Sequence, residues 1–272
     1  MAELEKNDYD SFDALAYADK KYSSMSEWMA VPLKGIHGAF ESYCIGEKKT
    51  GINVLEYGCG PVPVYLCSAP RFASEIVFAD FAKSNTDALQ RWVSDTPGCP
   101  DYTHFFQYVI KDLEGCTDQA TLATAISKRQ ADLRSVVKGV VFCDITQDNP
   151  IESGYEGPYD IVYSSLCLCV AATNIKEYSD NVKRLTKLLK PGGMLIINDV
   201  EARDLSKNII TYTVNNNKFE ALCPTSEALR QVLEENGYHD IKMSRNLIDE
   251  TEGAAQRMSP EVLAMRFIVA RH

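Results

Sequence analysis

Short apolar runs separated by helical periodicity organise this chain. From residue 52 onward, apolar segments at 52–57, 75–80, 137–144, 159–168 and 194–199 read as strands. Strands this apolar have no wet face, so each must be covered on both sides. A parallel sheet with crossover helices above and below it meets that condition. Between the strands the period lengthens. Ala88, Leu89, Trp92 and Val93 mark one face of a helix over 83–93. Ile175, Val182, Leu185, Leu188 and Leu189 mark a second, from a capping Asn174 to residue 189. Lys190-Pro191-Gly192-Gly193 is expected to stop that helix and turn the chain into the next strand.

Two segments interrupt the alternation. Residues 99–136 form a helical insertion in which Leu122, Ile126, Leu133 and Val136 share a face. Residues 208–213 and 218–222, joined by Val214-Asn215-Asn216-Asn217, predict a β-hairpin within an insertion over 204–224. A helix over 226–236 closes at Gly237, and strands at 239–247 and 263–270 finish the sheet. The expected architecture is a single α/β domain over 1–272, with a doubly wound, mostly parallel seven-stranded sheet.

Composition narrows the function. At 272 residues the chain has ample length for one large domain. No apolar run approaches the roughly eighteen residues of a membrane span. The segment from Ala2 to Asp10 is acidic and lacks an apolar centre, unlike a secretory signal or transit peptide, so a cytoplasmic location is expected. A formal net charge of -10 argues against nucleic acid, and Lys183, Arg184, Lys187 and Lys190 read as the wet face of an amphipathic helix. The nine cysteines lack C-x-x-C spacing and read as reduced, buried apolar residues. His37, His104, His239 and His272 are scattered, so no metal site is expected. Nothing in the sequence forces association, and a monomer is the expectation.

The chemistry concentrates in Val54-Leu55-Glu56-Tyr57-Gly58-Cys59-Gly60-Pro61 and in Asp80, at the end of the next predicted strand. Glycines after an apolar strand let the backbone turn sharply and approach a ligand, and an acidic residue at the next strand tip accepts ribose hydroxyls. The third glycine of a dinucleotide fingerprint is replaced by Pro63, so a pyrophosphate cradle is not encoded. A cofactor with ribose but no phosphate fits better, and S-adenosylmethionine is the candidate. Asp80 also reads as a cap for the helix that follows. Asp80, Asp144 and Asp199 all fall at the carboxyl ends of predicted strands, the edge where open α/β sheets bind ligands.

On these residues the chain resembles the family of small-molecule methyltransferases that contains the nicotinamide, phenylethanolamine and thioether/indolethylamine enzymes. The likeness runs from Tyr17 to the C-terminal residues. It rests on Gly58-Cys59-Gly60-Pro61, Asp80 with Asn85, Cys143-Asp144-Ile145-Thr146, Ser164-Ser165-Leu166-Cys167-Leu168, Leu188-Leu189-Lys190-Pro191-Gly192-Gly193 and Asp199. The resemblance implies a Rossmann-like methyltransferase fold with an N-terminal helical lid over 1–45 that carries Tyr17 and Tyr22 and excludes water. A helix stripe packed on the core is the alternative reading of those tyrosines. It further implies that Asp80 and Asn85 hold the ribose, that Asp144 and the backbone of Ile145 hold adenine, and that Gly58 and Gly60 meet the methionine tail. The resemblance also implies that Ser165 stands beside the methionine carboxylate or its water and that Asp199 orients the acceptor, with Tyr17 also at the reacting centre.

Departures from the family pattern cluster on the acceptor side. Lys21 replaces a tyrosine, Arg203 a small hydroxyl residue, Glu220-Ala221 a serine pair, and Cys169 an aspartate. The tyrosine expected in the loop after the glycines aligns with Val64, and Tyr65 is its neighbour. The expected activity is methyl transfer from S-adenosylmethionine to a small amine or heteroaromatic nitrogen. The alternatives are a cofactor-binding sensor or buffer without turnover, and a methyltransferase for another small acceptor such as a thioether. A dehydrogenase is disfavoured by Pro63 and by the helix and strand pair after the fifth strand.

Overall fold

The computed structural model describes residues 13–204, 206–214, 217–247 and 259–272. Residues 1–12 of the expected lid, and Asn215 and Asn216 of the expected hairpin turn, lie outside these. Two N-terminal helices, α1 (Ala14–Lys21) and α2 (Glu27–Phe40), start where a side chain takes an orphan backbone N–H. Asp13 accepts from Ala16 N at 3.0 Å and Ser26 from Met29 N at 3.4 Å.

The alternation that follows is the expected one. It comprises β1 (Ile52–Tyr57), β2 (Ala73–Asp80), α3 (Lys83–Val93), α4 (Thr103–Gln107), α5 (Gln119–Val136), β3 (Val137–Phe142), β4 (Tyr159–Ser165), α6 (Ile175–Thr186) and β5 (Leu189–Ala202). The hairpin β6 (Ile209–Val214) and β7 (Asn217–Leu222), helix α7 (Ser226–Glu235), and strands β8 (His239–Leu247) and β9 (Val262–Arg271) complete it. One sheet runs β3-β2-β1-β4-β5-β9-β8, with β6 and β7 forming a separate two-stranded ribbon. The first five strands pair in parallel, and β9 enters antiparallel between β5 and β8. Strand order reverses between β1 and β4, the place where a doubly wound sheet opens a crevice.

Each face of the sheet has its own core. On one, Val54, Phe78, Ile161, Tyr163 and Ile196 pack beneath α2, the 99–136 insertion and Trp92 of α3. On the other, Leu55, Val77, Val162, Leu195 and Ile197 meet Tyr178, Val182 and Leu185 of α6 and Leu229, Val232 and Leu233 of α7. Each fully buried side chain of this kind contributes about 1.5–3 kcal/mol. Leu122, Ile126 and Leu133 of α5 are buried in the first core, as their spacing predicts.

Several element ends move from their expected places. β3 stops at Phe142 because Cys143 bridges antiparallel to Ile151, and the amide of Asp144 donates to Pro150 O at 3.0 Å, which puts Asp144 on a turn. β4 stops at Ser165 because Leu166 takes a left-handed φ of 52°. Helix α6 ends at Thr186, and Leu189 already pairs with Tyr159, so Pro191-Gly192-Gly193 lies within the β5 run and not at a helix end. β5 continues past Asp199 to Ala202 because β9 pairs along it, Met194 with Arg271 through Ala202 with Val262. In the hairpin, Val214 pairs with Asn217, leaving a two-residue connection where four residues were expected.

Candidate active site

The glycine turn and Asp80 form one bonded unit. After β1 the chain turns at Gly58 (φ 73°) and Gly60 (φ 64°), conformations that glycine adopts without strain. Asp80 at the tip of β2 accepts Gly60 N at 2.7 Å on Oδ2, and Ala82 N at 2.9 Å and Asn85 Nδ2 at 3.0 Å on Oδ1. It is 7% exposed. Burial raises its pKa, and the bonds from Asn85, Ala82 and Gly60 oppose that rise. Asp80 is not the cap of α3, since Ala82 holds that position, but its bond to the Ala82 amide fixes the entry into the helix. Asn85 is buried with it, and its Oδ1 has no partner.

A run of tyrosines covers the same sheet edge. Tyr17 and Tyr22 meet edge to face at 6.1 Å, Tyr22 meets Tyr65 at 6.4 Å, and Tyr65 meets Tyr163 at 6.0 Å. The Tyr22 and Tyr65 hydroxyls are 3.5 Å apart. Burial raises the pKa of all four phenols, so they stay protonated donors. Beneath them lies Glu56 of β1, opposite Phe78 of β2 and Tyr163 of β4, 1% exposed and with Oε2 unpaired. Burial raises its pKa well above the carboxylate range, and the charge of Asp80 adds to the rise. A buried carboxyl oxygen without a partner is costly, and among the described residues Glu56 makes no ion pair.

Further along the edge, Asp144 is half-buried on the turn after β3, with Oδ1 accepting Thr146 N at 3.0 Å and Thr146 Oγ1 at 2.7 Å, and Oδ2 accepting Gln147 Nε2 at 3.2 Å. Ile145 beside it is buried in the second core. Cys143 ties this turn to the glycine-turn unit by donating its amide to Asp80 O at 3.1 Å. Ser165 ends β4 and accepts Asn198 Nδ2 at 3.0 Å.

Asp199 stands apart from these groups. It is 1% exposed and lies against the α6 face of the sheet, where Oδ1 accepts Val200 N at 2.7 Å and Oδ2 accepts the Tyr178 hydroxyl at 3.1 Å. Burial raises its pKa, while Arg266, those two bonds and the Cys169 thiol oppose the rise. The hairpin is tied alongside: Leu222 N donates to Cys169 O at 2.7 Å, and Ser259 Oγ to Thr211 O at 2.6 Å. The Tyr212 and Phe219 rings stack at 5.5 Å on it. Trp28 of α2 packs against both cores.

The departures from the family pattern resolve into three kinds. Arg203 and Glu220 are exposed, with Arg203 Nε 3.5 Å from Pro260 O, whereas Cys169 and Ala221 are buried. Lys21 is half-buried, and desolvation lowers its pKa. Sequence reasoning missed Glu56, Tyr163, Tyr178, Asn198 and Arg266 as polar groups of this region. The signal for Glu56 and Arg266 was available as a single charge inside an apolar strand.

A model of the NNMT/PNMT/TEMT family matches residues 2–271. Human nicotinamide N-methyltransferase is 31% identical over 218 residues, covering 80% of this chain and 76% of that protein. Phenylethanolamine N-methyltransferase of Macaca mulatta is 24% identical, covering 85% and 79%. Among solved structures, the magnesium protoporphyrin IX methyltransferase of Synechocystis superposes with a TM-score of 0.52 at 14% identity, covering 100% of this chain and 99% of that one. The CurJ carbon methyltransferase gives a TM-score of 0.59 at 17% identity, covering 99% of this chain and 61% of the other. These structures share the fold.

Proposed function

Because the chain belongs to the NNMT/PNMT/TEMT family, we propose that it transfers a methyl group from S-adenosylmethionine to the nitrogen of a small amine or heteroaromatic acceptor. The observation that carries this reading is the joined unit of Gly60, Asp80 and Asn85, with the unpartnered Oε2 of buried Glu56 near Asp80. The residues fit the cofactor. A side chain at Gly60 would meet nothing within 4 Å, so the turn leaves open space against the backbone. Asp80 and the unpaired Asn85 oxygen suit two ribose hydroxyls, and Glu56 suits the methionine ammonium, the cation its burial lacks.

When bound, the cofactor supplies an electrophilic sulfonium methyl; the acceptor nitrogen lone pair forms the new N–C bond while the C–S electron pair returns to sulfur. The chain's own contribution is alignment and exclusion of water. Asp144 and the Ile145 backbone hold adenine, Ser165 lies beside the methionine carboxylate, and Tyr17, Tyr22 and Tyr65 close over the tail as protonated donors. Residues 1–45 serve as lid, with 99–136 and 204–224 as insertions on a single domain. Asp199 places a negative field where positive charge develops on the acceptor. No helix among the described residues is long and apolar enough to cross a membrane.

A panel of nicotinamide, quinoline, tryptamine, phenylethanolamine and a dialkyl sulfide, incubated with protein and methyl-labelled cofactor, tests the reading. Label on at least one nitrogen acceptor is expected. Cofactor binding without transfer to any of them would leave the sensor reading standing, and transfer to the sulfide alone would move the acceptor class to thioethers.

A further inference from the structure

We propose that Asn198 is a specificity-determining residue whose side-chain amide reads a second polar group of the acceptor, so that acceptors carrying an N–H donor such as a carboxamide bind in preference to those without one. The inference rests on the methyl-transfer reading above.

Asn198 is 1% exposed, yet its amide is only half satisfied. Nδ2 donates to Ser165 Oγ at 3.0 Å, and Oδ1 has no partner. With Nδ2 held by the Ser165 hydroxyl, the free end is the carbonyl oxygen, an acceptor that calls for a donor. The neighbours explain why the fold does not complete it. On the β4 side Ser165 is already engaged; on the β9 side the opposed residue is Phe267; along the strand Ile196 is apolar. Native interiors leave few such groups unpaired, and the exceptions call for a ligand or a water.

The position along the sheet edge says which ligand. The candidate groups run in strand order, with Asp144 after β3, Asp80 on β2, Glu56 and the glycine turn on β1, Ser165 on β4 and Asn198 on β5. Adenosine over β3 and β2 and the methionine tail over β1 and β4 take the first four places. The next strand edge falls to the acceptor. The backbone there is held in a strained form as well: Leu166, a γ-branched residue with φ 52°, donates its amide to Asn198 O at 2.8 Å. That turn ends the pairing with β4 at Asn198 while β5 runs on to Ala202, so the β4-facing edge of β5 has no strand partner beyond Asn198.

Binding to protein loaded with S-adenosylhomocysteine tests the proposal without turnover. Benzamide and methyl benzoate have nearly the same shape and differ in the amide N–H. Wild-type protein is expected to bind benzamide about tenfold more tightly, the discrimination one buried neutral hydrogen bond supports. Asn198→Leu should bring the two within about twofold while S-adenosylhomocysteine affinity holds. Asn198→Asp keeps the shape and adds charge, so benzamidine should gain about tenfold over benzamide. Equal binding of benzamide and methyl benzoate by wild type overturns the proposal, as does a preference that survives in folded Asn198→Leu. Loss of S-adenosylhomocysteine affinity with the preference intact overturns it too, since Asn198 would then serve the methionine tail. Where Asn198→Leu does not fold, Asn198→Asp decides, and an unmoved benzamidine ratio is the overturning result. A benzamide preference in a protein that methylates no member of the acceptor panel would end the methyl-transfer reading and leave this one standing.

Discussion

Asp199 of β5 and Arg266 of β9 occupy directly opposed positions in the antiparallel ladder, each 1% exposed. The guanidinium donates its two Nη groups to Pro224 O and Val200 O, so it acts on Asp199 through its field and not through a direct bond. Its Nε has no partner. Replacing Arg266 by Met should therefore raise the Asp199 pKa further and move the acid limb of the pH–rate profile upward by roughly one unit. The freed carbonyls would also cost stability, about 1–3 kcal/mol each. Arg266→Lys retains the charge and should retain the limb. A pH profile that stays in place in both variants would remove Asp199 from the reaction.

Asp80→Ala should raise the cofactor dissociation constant on the order of 100-fold, since hydrogen bonds to a charged group contribute about 1.5–3 kcal/mol each. Asp144→Ala should weaken binding by less, because Asp144 is half-buried where Asp80 is buried, so water competes more for its bonds. Neither should alter acceptor saturation. Calorimetric titration of both variants with S-adenosylhomocysteine gives the ranking, and the opposite order would exchange the ribose and adenine assignments.

Glu56→Gln carries a pH signature. The folded-state pKa of Glu56 is raised, so its contribution to stability is fully present below the unfolded value, about 4.3, and is lost as pH rises toward the folded value. The ligand-free Gln variant lacks that loss and should melt higher than wild type at neutral and alkaline pH, with the gap closing in acid. Asp80 is raised in the same direction but is common to both proteins. Cofactor affinity should fall in the same variant. Melting curves that stay parallel from acid to alkali would mean that Glu56 does not ionise in this range.

The two glycines of the turn should fail differently. A Cβ at Gly58 would stand 2.5 Å from Cys167 Cβ, so Gly58→Ala should lower the melting temperature of the ligand-free protein. At Gly60 the space is open, and alanine should cost only the left-handed backbone, about 1–2 kcal/mol. Cofactor binding should nonetheless drop sharply in Gly60→Ala. Unchanged affinity there would show that the ligand does not approach this turn.

The glycine turn and its bonded Asp80 were legible in the sequence because they are local. Glycines, strand and acidic tip follow one another within a single strand–turn–strand unit, and Gly60, Asp80 and Asn85 are joined as their spacing implies. What the sequence hid depends on distant pairing. The length of β5 is set by β9, and the ends of β3 and β4 by Ile151 and by the conformation of Leu166. The face on which a strand residue lies decides its role, and a strand position shifts face with each residue. Asn198 and Asp199 are adjacent in sequence, yet one meets Ser165 and the other Tyr178. Arg266 reads in sequence as a blemish in an apolar strand until β9 is seen lying against Asp199.

The placement of β9 between β5 and β8 also orders the assembly of the molecule. Among the described residues β8 pairs with β9 alone, so its place in the sheet waits until β9 has been made. The five parallel strands need only residues up to Ala202, and the proposed cofactor groups lie at or before Ser165. Arg266 reaches Asp199 only with the last strand. As the chain emerges from synthesis, the groups proposed to hold the donor can take shape while Arg266 is still absent, so the proposed methyl transfer would follow donor binding.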